Sequence, residues 1–329
     1  MVSLSSSTIR QSSENEFLEI LDQDILPNRK KEIRFYAPSF MYYKTNYYCS
    51  SSDDFPTISV TGSGCALKCK HCGGIVLNTM YSAVTPEELL NTCATLKEKG
   101  AKGCLISGGC LPNGTVPLGG FMTTIAKIKK HLGLTVFVHT GIVDFTTAST
   151  LKKAGVDAAL IDIIGSNETI REIYNLDITV KDYADSLRAL AAAEMPFVPH
   201  VIVGLHYGKL KGEWKALELI SKYAPSALVV IAFMPIRKTE MEKVKPPRPQ
   251  DIARVLAAGR LLFPDTPLVL GCMRPRDEQR GETEILAIKA GVDAIAFPTE
   301  QAVRFAENQK LKVSFSSYCC SQIYLDIRS

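Results

Sequence analysis

Residues 134–165 are LTVFVHTGIVDFTTASTLKKAGVDAALIDIIG, and they contain one complete strand–helix–strand unit. The two ends of this unit, residues 134–141 and 157–165, are short apolar runs that are typical of buried strands. Between them, residues 144–155 have the spacing of an amphipathic helix. Near-continuous apolar strands joined by helices are typical of parallel sheets that are covered on both faces, so the unit predicts an α/β fold.

The same rhythm repeats along most of the chain, from residue 56 to residue 300. Eight predicted strands, each followed by a helix, are the pattern of a (β/α)8 barrel of the TIM type, and a doubly wound sheet is the competing arrangement. In both arrangements the functional residues gather at the C-terminal ends of the strands. The predicted strands cover residues 56–62, 103–109, 134–141, 157–165, 197–206, 227–235, 267–273 and 292–298.

Three regions are expected from this pattern. Residues 1–55 form an N-terminal extension with a short helix and a loop, and residues 56–300 form the barrel. Residues 301–329 form a C-terminal helix and a cysteine-bearing tail, which we expect to lie over the mouth of the barrel.

The composition is that of a soluble enzyme with a large core. The 329 residues are 46% hydrophobic and 22% charged, and no run approaches the ~18 apolar residues of a membrane span. The formal net charge of +4 would suit an acidic protein partner, but no basic stripe indicates nucleic-acid binding. Ten cysteines without an export signal favour metal or redox chemistry in the cytoplasm over a disulfide framework.

Three of the cysteines follow the first predicted strand directly, within the stretch TGSGCALKCKHCGGIV at residues 61–76. Cys65, Cys69 and Cys72 have the spacing C-x3-C-x2-C. Three thiolates so close together can ligate three irons of a four-iron cluster and leave the fourth iron open. The spacing alone also allows a zinc site that is completed by a distant fourth ligand.

This spacing resembles the signature of the radical-SAM superfamily. The resemblance implies that Cys65, Cys69 and Cys72 bind a 4Fe-4S cluster and are the catalytic cysteines. S-adenosylmethionine would chelate the open iron and be cleaved to a 5′-deoxyadenosyl radical. His71 holds the place where that superfamily carries an aromatic residue against the adenine.

Three further strand ends resemble the same superfamily. The second strand ends in ISGG (106–109), where the superfamily has Gly-Gly-Glu for the methionyl amino group, but Cys110 replaces the glutamate. The fifth strand ends in VIVGLH (201–206), like the superfamily's Gly-x-Ile-x-Gly motif, and the sixth in VVIAFMPI (229–236), near its adenine contact. The resemblance implies cofactor contacts at Ser107, Gly108, Gly109, Gly204 and Met234.

Other polar residues also stand at predicted strand ends. His139 ends the third strand, Asp162 lies in the fourth, and His200 and His206 flank the fifth. Of these, Asp162 and His200 are our candidates for cofactor contacts, and buried hydrogen-bonded roles are the alternative. Arg274, which follows the seventh strand, either contacts an anion or a cluster or pairs with a carboxylate.

The surplus cysteines predict an auxiliary 4Fe-4S cluster, because such a cluster needs about four ligands. The alternative is that the C-terminal pair is simply packed. The available thiols are Cys49, Cys272, Cys319 and Cys320.

Further resemblances indicate which branch of the superfamily this sequence is similar to. Residues 232–276 are similar to the corresponding passage of biotin synthase. Residues 65–74 and 107–118 resemble biotin-synthase-like proteins that form two-subunit lipoyl synthases. The SSY at 316–318 is similar to the end of ordinary lipoyl synthase, which makes Ser316 and Ser317 possible cluster ligands.

The second resemblance implies a sulfurtransferase of lipoate biosynthesis. It would insert sulfur from the auxiliary cluster into an unactivated C–H bond of a carrier-bound octanoyl chain. The implied partners are a lipoyl carrier protein, such as a glycine-cleavage H-type protein or its octanoyl-lysyl peptide, a second radical-SAM subunit, and ferredoxin or flavodoxin. Biotin-type sulfur insertion, methylthiolation and cofactor maturation are alternative reactions, and a non-catalytic cluster or zinc carrier is an alternative class.

Overall fold

The computed structural model describes residues 4–23, 25–27, 31–39, 41–50 and 53–327. In these residues all strand pairs are parallel, and the strands form one sheet that curls into a barrel. The strands are β1 (Glu32–Tyr36), β2 (Thr57–Ser59), β3 (Tyr81–Ser82), β4 (Gly103–Ser107), β5 (Thr135–His139), β6 (Ala158–Asp162), β7 (Phe197–Val203), β8 (Leu228–Ala232), β9 (Leu268–Leu270), β10 (Ala294–Ala296) and β11 (Lys312–Ser316).

The predicted (β/α)8 barrel is confirmed. The eight predicted strands are β2 and β4 to β10, and they pair in chain order within the sheet order β11-β1-β10-β9-β8-β7-β6-β5-β4-β2-β3. The prediction did not include three of the described strands. Of these, β1 and β11 come from the N-terminal extension and the tail and continue the sheet beyond β10, and β3 is a two-residue strand that pairs with β2. Side chains bridge the seam between β11 and β2, where the Ser317 hydroxyl donates to Asp54 and the rings of Phe55 and Tyr318 lie 6.4 Å apart.

Helices cover the outside of the barrel, except for the last one in the tail, and several of them begin at a capping side chain. Thr85 caps the helix after β3 and forms a capping box with Glu88, as the sequence Thr-Pro predicts. None of the described helices is both long enough and apolar enough to span a membrane. The α-helices are α1 (Ser6–Gln11), α2 (Glu14–Asp22), α3 (Pro86–Glu98), α4 (Met122–Lys127), α5 (Phe145–Lys153), α6 (Asn167–Tyr174), α7 (Val180–Ala192), α8 (Glu213–Ile220), α9 (Pro249–Leu262), α10 (Arg280–Lys289), α11 (Glu300–Asn308) and α12 (Ile323–Asp326).

The N-terminal extension packs against α9. The Arg254 guanidinium donates to the carbonyl oxygens of Ile9 and Ser13, so it satisfies the backbone between α1 and α2. The predicted short helix is α2, and α1 precedes it. The first three residues of the predicted extension lie outside the described residues.

Alternate residues of each strand face opposite sides of the barrel wall. Ile106 and Val138 face outward and belong to the apolar core between the strands and the helices. Phe137, Leu160 and Val198 face inward and belong to a second apolar cluster, which fills the barrel interior. The residues two positions further along these strands therefore also face inward, and they are polar: His139, Asp162 and His200.

The tail enters the barrel instead of lying over its mouth. The Tyr324 hydroxyl donates to the carbonyl oxygen of Asp157 at 2.7 Å, and the Tyr324 ring lies 6.5 Å from that of Phe137. The inward wall residues here include the small Ala158 and Ala294, and a barrel interior must be filled by side chains. The tail supplies the missing volume, which is the physical reason for the difference from our expectation.

Candidate cofactor site

The cysteine loop after β2 brings two thiols and an imidazole together. The ligand atoms of Cys69, His71 and Cys72 all lie within 4.8 Å of one another. The Cys69 thiol donates to the Tyr174 carbonyl oxygen at 3.6 Å. The interaction between Cys69 and Cys72, with the help of His71, lowers the pKa of Cys72 to about 4. The same interaction, together with burial, raises the pKa of Cys69. Cys65 is half-buried and close enough for its charge to raise the pKa of Cys69 further.

Backbone hydrogen bonds hold this loop from two sides. The Ala66 amide donates to the carbonyl oxygen of Cys110, which follows β4, at 2.9 Å. The Lys70 amide donates to the carbonyl oxygen of Ile173 in α6 at 2.8 Å. The loop is therefore positioned by two elements that follow it in the chain.

Gly109 has a steric role in the same arrangement. A Cβ atom at this position would lie 2.0 Å from the carbonyl oxygen of Gly64 and 2.6 Å from the Cα atom of Cys65. Thr61 links the two segments, because its hydroxyl donates to the Gly64 carbonyl at 2.8 Å and accepts from the Gly109 amide at 2.7 Å. Gly109 therefore allows the cysteine loop to approach the end of β4.

Cys110 stands beside these residues, where our comparison of motifs expects a glutamate. Burial raises the pKa of the Cys110 thiol to about 12, and the charges of Cys65 and Asp162 add to this effect. Cys110 therefore stays a neutral thiol in this environment. Ser107 and Gly108 precede it, and Ser107 is half-buried at the end of β4.

The loop residues fit an iron–sulfur cluster with one open position. Soft thiolates are the ligands of such clusters, and Cys65 and Cys69 also line a cavity of about 440 Å³ beside the loop. The buried Nδ1 atom of His71 and the buried hydroxyl of Tyr174 find no hydrogen-bond partner among the described residues. The two rings lie 5.2 Å apart, so polar atoms are available beside the cysteines for a bound group.

Three polar residues meet inside the barrel at the ends of adjacent strands. His139 Nε2 lies 3.5 Å from Asp162 Oδ1, and the rings of His139 and His200 lie 5.9 Å apart. Burial would raise the pKa of Asp162, but the neighbouring histidines lower it. Burial lowers the pKa of His200 to about 4, so this imidazole is neutral. Burial opposes a charge on His139 as well, yet Asp162 raises its pKa.

Gly204 occupies the turn after β7 and has a positive φ of 71°. Its amide donates to Glu213 Oε1 at 2.8 Å, and an added Cβ would lie 2.7 Å from Pro247 Cγ. Glu213 is only 4% exposed, and burial raises its pKa to about 7. Our sequence reasoning missed Glu213, although a glutamate in the first turn of the helix after a glycine-rich strand end was a visible signal. Met234 is half-buried after β8.

The four surplus thiols are only partly brought together. Cys272 and Cys319 both pack against the interior apolar cluster. Burial and the charge of Cys319 raise the pKa of Cys272 to about 11. Cys320 is buried in the interior cluster, and its thiol donates to Cys319 and lowers the pKa of Cys319. Cys49 is exposed, with its thiol directed to the Ser50 carbonyl oxygen at 3.8 Å. Within the described residues, none of these four belongs to a compact group of three metal-binding side chains.

Arg274 pairs with a carboxylate, which was one of its two expected roles. It is 2% exposed, and its guanidinium donates to Glu284 Oε1 at 2.5 Å and to the Gly271 carbonyl oxygen at 2.7 Å. His206 likewise has local partners, with Nε2 3.5 Å from Glu168 and Nδ1 3.2 Å from the Thr169 hydroxyl.

Comparisons with known proteins agree with this geometry. Residues 59–220 match the family model of the Radical SAM superfamily. The chain is 30% identical over 215 residues to the biotin synthase of Leptospira biflexa serovar Patoc, an alignment that covers 64% of this chain and 60% of that protein. It is 24% identical over 298 residues to the biotin synthase of Prochlorococcus marinus strain NATL2A, which covers 87% of this chain and 81% of that protein.

Two solved structures share the fold. Methylornithine synthase (PylB) aligns with a TM-score of 0.60 at 16% identity over 94% of this chain and 93% of that one. HydG, a maturase of the [FeFe]-hydrogenase, aligns with a TM-score of 0.64 at 15% identity over 98% of this chain and 80% of that one.

The family match begins at the end of β2 and includes all three cysteines of the loop. The donor set, the close approach of Gly109 and the partnerless His71 nitrogen fit the cofactors that this family implies. The chain belongs to the radical-SAM superfamily, in its biotin-synthase-like branch, and its cofactors are a 4Fe-4S cluster and S-adenosylmethionine.

Proposed function

We propose that this chain is a radical-SAM sulfurtransferase that inserts sulfur into an unactivated C–H bond. One observation carries the proposal: Cys272 and Cys319 both pack against the apolar cluster inside the same barrel whose mouth holds the cysteine loop. A pair of thiols at this place could hold the sulfur source within reach of a substrate bound at the strand ends. The likeness to biotin synthases supports this class of reaction.

The residues of the chain would position and enclose the reactants. Cys65, Cys69 and Cys72 would hold the cluster, and Gly109 keeps their loop against β4. When bound, the cluster and S-adenosylmethionine supply one-electron chemistry that can break an aliphatic C–H bond, which no side chain can deprotonate. Tyr324 and its neighbours close the barrel from within, and this closure limits the access of water to the site.

The substrate that we propose is an octanoyl chain on the lysine of a lipoyl carrier protein, with a second radical-SAM subunit contributing the other sulfur. The proposal rests on the two stretches that resemble two-subunit lipoyl synthases, at residues 65–74 and 107–118. An enclosed barrel can hold a long, flexible acyl chain so that its reacting carbon lies within a few ångströms of the reacting groups.

An acidic electron donor such as ferredoxin or flavodoxin is the partner that we propose for the cysteine loop. Three lysines, Lys68, Lys70 and Lys238, line the cavity beside Cys65 and Cys69. Opposite charges accelerate encounter between such partners and make it depend on salt. Electron transfer to the cluster should therefore slow as the ionic strength rises, and the charge-reversed variant Lys68→Glu should slow it at low salt as well.

The auxiliary cluster is part of this proposal. Cys272, Cys319 and Cys320 are the thiols that the tail and the segment after β9 bring to the interior, and the buried Ser321 hydroxyl lies beside Cys319. Of our two hydroxyl candidates, Ser317 already donates to Asp54, and Ser316 accepts from the Tyr318 amide at 3.2 Å. Cys49 would have to move to join the set.

The test is the iron and sulfide content of protein that is reconstituted without oxygen. We expect about eight irons per chain in the wild type and about four in the Cys65/Cys69/Cys72→Ala variant, as for two four-iron clusters. Cys272→Ser and Cys319→Ser should each lower the wild-type count toward about four. If the wild type holds about four irons and the triple variant none, the auxiliary cluster and its sulfur are excluded.

Product analysis then separates the substrates. The reconstituted protein is incubated with S-adenosylmethionine, a reductant and an octanoyl-lysyl peptide, with and without a second subunit, and in parallel with the sulfur-free precursor of biotin. Sulfur on the octanoyl peptide supports our proposal. Sulfur on the biotin precursor alone would assign the biotin-type reaction, which the likeness to biotin synthases favours as the second candidate.

A further inference from the structure

A polar layer lies inside the barrel directly above its apolar filling. Phe137, Leu160 and Val198 face inward and belong to the interior apolar cluster. Because strand side chains alternate between the two faces, the residues two positions further along the same strands face inward as well. These residues are His139, Asp162 and His200.

The three side chains converge on one point. Their ligand atoms all lie within 4.8 Å of one another, and His139 Nε2 is 3.5 Å from Asp162 Oδ1. The neighbouring strands set this convergence, since Asp162 is directly opposite His200 in the ladder between β6 and β7. The His139 and Asp162 side chains keep 27% and 28% of their surface accessible, so they border open space within the wall of the barrel.

His200 shows that this group is incomplete. Its residue surface is only 9% exposed, and its buried Nδ1 atom has no hydrogen-bond partner in the part of the chain that the structure describes. A buried polar atom without a partner destabilises the folded state, so it calls for a bound group. Asp162 already lies beside His139 and does not satisfy this nitrogen.

We propose that His139, Asp162 and His200 bind a divalent transition metal, zinc or iron(II), inside the barrel. Two imidazoles and one carboxylate are a common donor set for these ions and leave positions open for a further ligand. Metal–ligand bonds of about 2.0–2.2 Å place neighbouring donor atoms about 3.3 Å apart, close to the 3.5 Å between His139 and Asp162. One ring nitrogen of His200 lies within reach of the same ion.

This metal site is separate from the cysteine loop and does not depend on the sulfur-insertion reaction. The group of Cys69, His71 and Cys72 is a different set of donors. A metal at the inner group would face the same interior space as Cys319, whose charge reaches His139. Its open positions could therefore orient a carboxylate, carbonyl or thiolate group of a substrate.

The experiment counts zinc in protein whose iron–sulfur clusters have been reconstituted first, so that the cluster thiols are occupied. The protein is incubated with zinc, desalted, and analysed for zinc and iron per chain. We expect about one zinc per chain in the wild type. In His139→Ala and His200→Ala, zinc binding should be at least about 100-fold weaker. Removal of a residue that only hydrogen-bonds to a metal ligand weakens binding by about 10–100-fold, so a larger loss indicates a direct ligand. Zinc K-edge absorption should show imidazole scattering in the wild type.

Controls separate a lost ligand from a lost fold. His131 is an exposed histidine at a helix end, so His131→Gln should keep the zinc. The conservative His200→Gln should lose zinc while it keeps the wild-type circular dichroism and iron content. Retention of zinc in both alanine variants, or a nearest shell of sulfur, would exclude the site. A parallel loss of about four irons in these variants would also exclude it, because the residues would then belong to the auxiliary cluster.

Discussion

Gly109 and Cys65 approach each other so closely that a Cβ atom on Gly109 would stand 2.6 Å from the Cα atom of Cys65. Neither residue can shift freely, because the Thr61 hydroxyl ties Gly109 to Gly64. The position of the first cysteine of the cluster loop therefore depends on the absence of a side chain at the end of β4. The sequence resemblance predicts a cofactor contact for this glycine, and the structure shows that it also has a packing role.

The substitution Gly109→Ala tests that role. The added methyl group should displace the cysteine loop, lower the iron content after reconstitution, and cost about 1–3 kcal/mol of the free energy of unfolding. Gly120→Ala is the matched control, because no atom of the described residues lies within 4 Å of a Cβ atom at Gly120. Iron counts and urea unfolding of both variants give the answer, and a Gly109→Ala protein with wild-type iron and stability would contradict the packing role.

Tyr324 should be a main support of the inserted tail. It is 5% exposed, and its hydroxyl donates to the Asp157 carbonyl oxygen at 2.7 Å. Removal of such a ring leaves a cavity, so Tyr324→Ala should cost about 3–5 kcal/mol, whereas Tyr324→Phe removes one hydrogen bond and should cost about 1 kcal/mol. Urea unfolding measures both values. Equal, small costs would show that the tail does not stabilise the barrel.

Glu213 should make stability fall as the pH rises. Its folded pKa of about 7 is raised from 4.5 by burial, so the folded protein holds a proton that the unfolded chain has lost. The stabilisation is complete below about pH 4.5 and is lost progressively toward about pH 7, and over this window it is on the order of 3 kcal/mol. Urea unfolding from about pH 5 to about pH 8 measures this slope.

The variant Glu213→Gln should remove this part of the slope, because a glutamine does not titrate and can still accept from the Gly204 amide. Glu218 lies in the same helix and is exposed, so Glu218→Gln should leave the slope in place. An unchanged slope in Glu213→Gln would mean that other groups cause the pH dependence.

The pair of Arg274 and Glu284 should be structural. Both side chains are buried, at 2% and 0% exposure, and their N–O distance is 2.5 Å. Glu284→Gln removes the charge that compensates the buried Arg274, so we expect a cost of about 3–5 kcal/mol. Lys215→Ala breaks the exposed pair with Glu218 and should cost less than about 1 kcal/mol. If Glu284→Gln is nearly neutral in urea unfolding, Arg274 has another partner.

The local patterns of the sequence determined the barrel repeat and the cluster loop. Eight strands with helical segments between them can be recognised without knowledge of contacts, because strand and helix periods depend on neighbouring residues. The spacing of Cys65, Cys69 and Cys72 likewise predicts a cluster site without knowledge of tertiary contacts, because three thiols within eight residues must stay close together. The strands β1 and β11 were missed because their partners lie far away in the chain.

Only the tertiary structure decided what meets inside the barrel. His139 and His200 are 61 residues apart in the chain, and Cys272 and Cys319 are 47 apart, so their common place inside the barrel depends on strand register and closure. The sequence shows that strand residues alternate, but which face becomes the interior depends on how the sheet closes. Insertion of the tail has the same origin, because the barrel can accept Tyr324 only after small inward residues have left room for it.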